Sequence, residues 1–110
     1  MANPRSKMRR SHQKAIEWLL NNDFNFVWIT PHIRWDNPTY FKGEEKVFSK
    51  DIAGLFDGMA VKNGMVYFLQ IKSNSWASYK RYKLFCDKYK IKSMLINVVD
   101  REGVKVKMVE

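Results

Sequence analysis

Cysteine is almost absent from this 110-residue chain: Cys86 stands alone, which excludes an internal disulfide. Histidine is as scarce, and His12 and His32 lie far apart with no cysteine near either, so no zinc-site spacing exists. Long apolar runs are missing as well. No segment approaches the roughly 18 apolar residues of a membrane span, and the basic opening MANPRSKMRRSHQK is not followed by the apolar stretch of a signal peptide. A cytoplasmic location is the expectation. Acidic residues are also few, 11 against 20 Lys and Arg, for a formal net charge of +9. That excess favours a polyanionic partner, nucleic acid first, although solubility alone is a second use for such charge.

What is present is enough for one core. The length is that of a single domain, expected to span residues 1–110, and a hydrophobic fraction of 45% is far above that of a disordered chain. From about Ser6 to Asn22, Ala15, Ile16, Leu19 and Leu20 form an apolar stripe at helical spacing, with Arg9, Arg10 and Lys14 towards the other side. Asn21, Asn22 and Asp23 stop this helix, and Phe24 to Ile29 reads as a strand. Pro31 to Lys50 has no sustained period and reads as a long loop with room for one helical turn. Trp35 and Tyr40, beside Arg34 and Lys42, either pack there as a lid or stack on bases.

Lys62-Asn63-Gly64-Met65 places Asn-Gly between two strand-like runs, the strongest short-range hairpin signal. Ser75 or Ser78 then caps a second helix that runs to about Tyr89, and Ser93–Val99 and Val104–Val109 form two strands around the turn Asp100-Arg101-Glu102-Gly103. The order is helix, strand, hairpin, helix, two strands.

The hairpin fixes a register. With Asn63 and Gly64 in the turn, Lys62 pairs with Met65, Val61 with Val66, Met59 with Phe68 and Asp57 with Gln70. Directly opposed residues share a face, and Lys72, two beyond Gln70, projects on it too. An acid, an amide oxygen and an ammonium thus converge at one end of an otherwise apolar face. Oxygens of this kind hold a hard cation such as Mg²⁺, and a lysine beside them orients an attacking water or meets phosphate charge. The same residues also read as a plain Asp57–Lys72 ion pair at a sheet edge. The residues alone leave both readings open.

Phe56-Asp57-Gly58-Met59-Ala60-Val61, a hairpin turn and Phe68-Leu69-Gln70-Ile71-Lys72-Ser73 resemble the core of the PD-(D/E)xK nuclease superfamily, over about Asp51 to Ser73. The arrangement is most similar to small archaeal Holliday junction resolvases and to virus-type replication-repair nuclease domains, which commonly carry Gln at the acidic position. The resemblance implies an α/β, restriction-endonuclease-like core, a central mixed sheet of about five strands with helices on its faces in the order α-β-β-β-α-β-β. It also implies a Mg²⁺- or Mn²⁺-dependent endonuclease acting on DNA, structure-selective at a junction, flap or end. For a viral chain the location would be the host cytoplasm. By position, the metal would rest on Asp57, Gln70 and the Ile71 backbone carbonyl, with Lys72 assisting the water.

Two departures stand out: Phe56 replaces the motif's Pro, and Gln70 replaces a carboxylate with a neutral amide that should hold Mg²⁺ less tightly. The alternative function is therefore a weak or inactive nucleic-acid-binding module that keeps the nuclease fold. Relatives often place a Glu early in the first helix, where this chain has His12 or Gln13, with Glu17 a turn later as a solvated residue. Asp51 is the better candidate for a second acid, although an Asp before Ile-Ala-Gly also organises turns.

The second helix is expected to start beside the site, where Ser73 would bind phosphate, while Tyr79, Phe85 and Tyr89, with Trp76 or Tyr82 beside them, supply packing. Arg9, Arg10, Lys80, Arg81 and Lys83 are the expected backbone contacts, without base reading and with strong salt dependence. Relatives that cut two-fold symmetric junctions are dimers, so a homodimer is implied, with the strands after Ser93 as one possible interface.

Overall fold

Helix α1 (Pro4–Asn21) opens on a proline, whose missing N–H costs nothing in a first turn. The computed structural model describes residues 4–30, 37–43, 46–49 and 51–110. Ser11, Ala15 and Leu19 form the buried stripe of α1, with Trp18 partly buried beside it; Leu20, expected on that stripe, is half exposed. The helix ends where the Asn22 side chain donates to the Trp18 carbonyl and Asp23 turns left-handed at φ 68°.

Strand β1 (Phe26–Ile29) follows and lies at the edge of a mixed five-stranded sheet. Two three-residue strands, β2 (Asn37–Thr39) and β3 (Val47–Ser49), pair in a separate small sheet. The segment expected as a loop thus contains a hairpin, whose strands are too short to show a period in sequence. Ala53 N–H donates to the Thr39 hydroxyl, and the Phe41 ring lies 5.5 Å from that of Tyr89 and 6.3 Å from that of Phe85, which ties this segment to the body.

Strands β4 (Gly58–Lys62) and β5 (Met65–Ser73) form the expected hairpin, with Asn63 at φ 52° and Gly64 at φ 78°. Positive φ at both central residues matches the right-handed strand twist, which is why Asn-Gly suits the turn. The pairs Met59–Phe68, Val61–Val66 and Lys62–Met65 hold the predicted register. Helix α2 (Tyr79–Tyr89) leads to β6 (Lys92–Val99), parallel to β5, and β7 (Gly103–Val109) returns antiparallel. The order across the sheet is β1-β4-β5-β6-β7.

The fold is therefore α/β, a mixed five-stranded sheet with two helices. On one face Ala15 and Leu19 of α1 pack with Ala60, Leu69, Ile71, Met94, Ile96 and Val98. On the other, Tyr82 and Cys86 of α2 pack with Phe56, Phe68, Leu95 and Val109. Strand β6 is buried on both sides, as a strand flanked by helices should be, and Ser93 and Asn97 are the polar members of its buried run. No helix among the described residues is long and apolar enough to cross a membrane.

Candidate active site

Strand β5 runs past the start of β4, leaving one edge of its last residues without a strand partner. Asp57 fills that gap. Its N–H donates to the Leu69 carbonyl at 2.7 Å, and its carboxylate accepts the Ile71 N–H at 2.8 Å. The N–H and C=O of one strand residue point to the same edge, so the Ile71 carbonyl opens into the same gap.

Three features hold Asp57 in place. Buried Thr30, at the end of β1, donates to the Asp57 carbonyl through both its N–H (2.7 Å) and its hydroxyl (2.9 Å). Gly58 then passes so close to β1 that a Cβ there would stand 2.1 Å from the Trp28 carbonyl oxygen. Before Asp57 the chain makes a tight turn, with left-handed Ala53 (φ 56°) and Gly54 (φ 72°), closed by an antiparallel bridge between Ile52 and Phe56.

That bridge explains the second acid. If Ile52 faces Phe56, the next pair outward is Asp51 and Asp57, and the Asp51 carboxyl lies close enough to act on that of Asp57 through like charge and hydrogen bonding. Asp57 is pushed from the ordinary 3.8 up to about 6, chiefly by burial and further by Asp51, against the lowering effect of the Ile71 N–H. Asp51 thus organises the turn and also joins the site.

Gln70 faces Asp57 as the register requires. The network orients its amide nitrogen to donate to the Leu55 carbonyl at 2.6 Å and to Asp57 Oδ2 at 3.2 Å. The same Leu55 carbonyl accepts the Tyr82 hydroxyl at 2.9 Å. Burial pushes that phenol up to about 12, Arg81 draws it down, and Asp57 and Asp51 raise it, which places α2 within electrostatic reach of both acids. Tyr82 and Thr30 are the site residues that the sequence did not single out; a tyrosine at core spacing and a threonine before a proline carry no signal of these bonds.

Lys72 is exposed and forms no hydrogen bond or ion pair among the described residues, so the plain Asp57–Lys72 ion pair is not formed. It lies two residues beyond Gln70 on the same face. Glu17 stays apart, accepting from Gln13 at 3.2 Å on the exposed side of α1. Among the described residues no group of three or more His, Cys, Asp or Glu side chains assembles. Arg34, Trp35 and His32 lie outside the described residues.

The expected phosphate contacts divide. Arg9 and Arg10 on α1 and Lys80 and Arg81 in the first turn of α2 are exposed. Both groups flank the end of the sheet where β5 stops, because Ser11 of α1 hydrogen-bonds Ser73 and α2 starts six residues after Ser73. Ser73 is thereby engaged on the α1 face, opposite Gln70 and Lys72. Lys83 is engaged too, with Asp87 at 3.0 Å and with the Glu110 carbonyl. Ser78 takes the cap position of α2 without a side-chain cap bond, while Ser75 donates its N–H to buried Asn97 at 2.9 Å. Trp76 and Tyr79, expected to pack, lie outside both core clusters and are 39% and 41% exposed.

The chain matches no protein-family model, and neither curated proteins nor solved structures show a match.

As a donor set, the cluster consists of hard oxygens: two adjoining carboxylates, an amide and a backbone carbonyl. Mg²⁺ and Mn²⁺ prefer such ligands, and Mg²⁺ needs only one or two carboxylates from a protein. Mutual repulsion between Asp51 and Asp57 is the condition that a divalent cation relieves. The residues fit the metal, with one requirement: the Gln70 amide must turn its oxygen inward.

Proposed function

We propose that this protein is a divalent-metal-dependent endonuclease that hydrolyses DNA phosphodiester bonds, selective for structure over sequence. The observation that carries this reading is the approach of Asp51 to Asp57 beside Gln70 and the open Ile71 edge, with Lys72 on the same face and unpaired among the described residues. Asp57, Asp51, Gln70 and the Ile71 carbonyl would hold Mg²⁺ or Mn²⁺, which supplies Lewis acidity towards a phosphodiester oxygen and an attacking water. Lys72 places an ammonium where phosphate charge develops and orients the water. Tyr82 and Gln70 fix the Leu55 carbonyl, and through it the turn that presents Asp51. Arg9, Arg10, Lys80 and Arg81 supply sequence-independent attraction to the backbone.

The restriction-endonuclease-like arrangement belongs to the same proposal: a β4–β5 hairpin carrying Asp57, Gln70 and Lys72, with a helix on either face. A homodimer fits a two-fold symmetric junction. The open edge of β7 and the exposed apolar residues Phe26, Trp28 and Val66 are surfaces available for it.

One observation favours a second reading, a nucleic-acid-binding module without turnover: the Gln70 amide already satisfies Leu55 and Asp57 as a donor. The two readings separate in a cleavage assay on labelled four-way junction, flap, single-stranded and duplex DNA with Mg²⁺ or Mn²⁺. Cleavage lost in Asp57→Ala and Lys72→Ala supports the enzyme. Salt-sensitive binding with no cleavage by the wild type supports the module.

A further inference from the structure

Trp76 and Tyr79 are large rings that the core does not use. They stand 39% and 41% exposed, and the Lys107 ammonium lies over both, 4.8 Å from the Trp76 centroid and 5.9 Å from that of Tyr79. Lys107 has no carboxylate partner among the described residues. The cluster is firmly mounted. Asn74 is bonded twice to Asp100, through its side-chain nitrogen (3.1 Å) and oxygen (2.8 Å), and Ser75 is held by Asn97.

Its position relative to the acids follows from the register. Gln70 pairs with Leu95, and Leu95 pairs with Lys107, so Lys107 shares a row and a sheet face with Gln70, two strands away, or about 10 Å. Lys72 heads the neighbouring row through Asn97.

We infer that Trp76, Tyr79 and Lys107 form a binding site for unpaired nucleotides, along which a single-stranded segment of the DNA substrate leaves the Asp57 site. The chemistry matches a nucleotide in both of its parts. An exposed ring offers a surface for a base of any sequence, and an ammonium without a carboxylate meets a backbone phosphate. In a duplex the base faces are already stacked, so the rings recognise only single strands. Within the nuclease reading, on which the path of the strand rests, the substrate class narrows to DNA with a single-stranded tail, flap or gap beside the cleaved bond.

The test is fluorescence anisotropy in EDTA, with labelled oligo(dT) and a blunt duplex as ligands. Trp76→Ala and Tyr79→Ala should each weaken oligo(dT) binding by about tenfold and leave duplex binding almost unchanged. Trp76→Phe should retain most of the affinity, which a fold defect would not allow. Lys107→Gln should reduce the slope of log affinity against log salt for the single strand by about 0.7, one phosphate contact. Equal losses on both ligands, or unchanged oligo(dT) affinity in the double alanine variant, would overturn the inference. Chelation keeps this separate from catalysis. If stacking is found and Mg²⁺ and Mn²⁺ give no cleavage, the nuclease reading fails and the strand site stands; if cleavage is found and stacking is absent, only the strand site fails.

Discussion

The Ile71 N–H donates to the Asp57 carboxylate at 2.8 Å, taking from a side chain the bond that a longer β4 would have supplied from its backbone. This relationship makes one carboxylate both the end of a strand pairing and the centre of the candidate site. It also leaves the acid half-buried, which gives the site a measurable signature in pH.

Asp57 binds its proton more tightly in the folded chain, at about 6, than at the ordinary 3.8. Its contribution to stability is therefore fully present below about pH 4, declines as pH rises through about 6, and is gone above that. Asp57→Asn should flatten this part of the profile and stabilise the metal-free protein at pH 7.5 by about 1–3 kcal/mol. Urea unfolding of both proteins between pH 4 and 7.5 checks it; a variant less stable than wild type at pH 7.5 would contradict the burial argument.

Gly58 has no room for a methyl group, because the atoms in the way are the Trp28 carbonyl and the Ile29 Cα of the neighbouring strand. Gly58→Ala should destabilise the fold by about 2–3 kcal/mol and displace Asp57, its chain neighbour. The expected result is a lower urea midpoint with an unchanged m-value.

Gln70→Glu replaces the amide nitrogen that donates to Leu55 and Asp57 with an oxygen facing two acceptors. Without metal the variant should lose about 1–3 kcal/mol, and saturating Mn²⁺ should restore more stability than it gives the wild type. In the cleavage assay the variant should be the faster enzyme with Mg²⁺. Thermal melts with and without Mn²⁺ read the first part, and equal metal responses would argue against Gln70 as a ligand position.

Tyr82→Phe removes one of two donors to the Leu55 carbonyl and leaves the Gln70 amide in place. A loss of about 1 kcal/mol is expected, with cleavage reduced less than by Lys72→Ala. A larger effect of Tyr82→Phe on cleavage than of Lys72→Ala would place Tyr82 in direct contact with substrate.

The legible part of this molecule is the part dictated by short-range chemistry. Asn63-Gly64 specifies a turn with two left-handed residues, and counting outward from it reaches Asp57 and Gln70 correctly, because β-sheet periodicity has no slack. Asp51 was legible only as one of two alternatives, since the isolated Ile52–Phe56 bridge that turns it towards Asp57 has no sequence period. Thr30 and Tyr82 were not legible. Their bonds to Asp57 and Leu55 span 27 residues each and depend on how β1 and α2 dock. Trp76 and Tyr79 are exposed where packing is expected, because aromatics near the start of a helix look the same in sequence whether the next strand covers them or, as here, sets Lys107 over them.

Asp51 and Asp57 are the proposed divalent-cation site, and Mn²⁺ binding followed by calorimetry at pH 7.5 tests it most directly. Wild-type protein should bind Mn²⁺ at one site per chain, with Asp57→Asn and Asp51→Asn each weakening binding at least tenfold and Glu17→Gln leaving it unchanged. No binding by the wild type, or binding that survives both aspartate substitutions, would contradict the central claim.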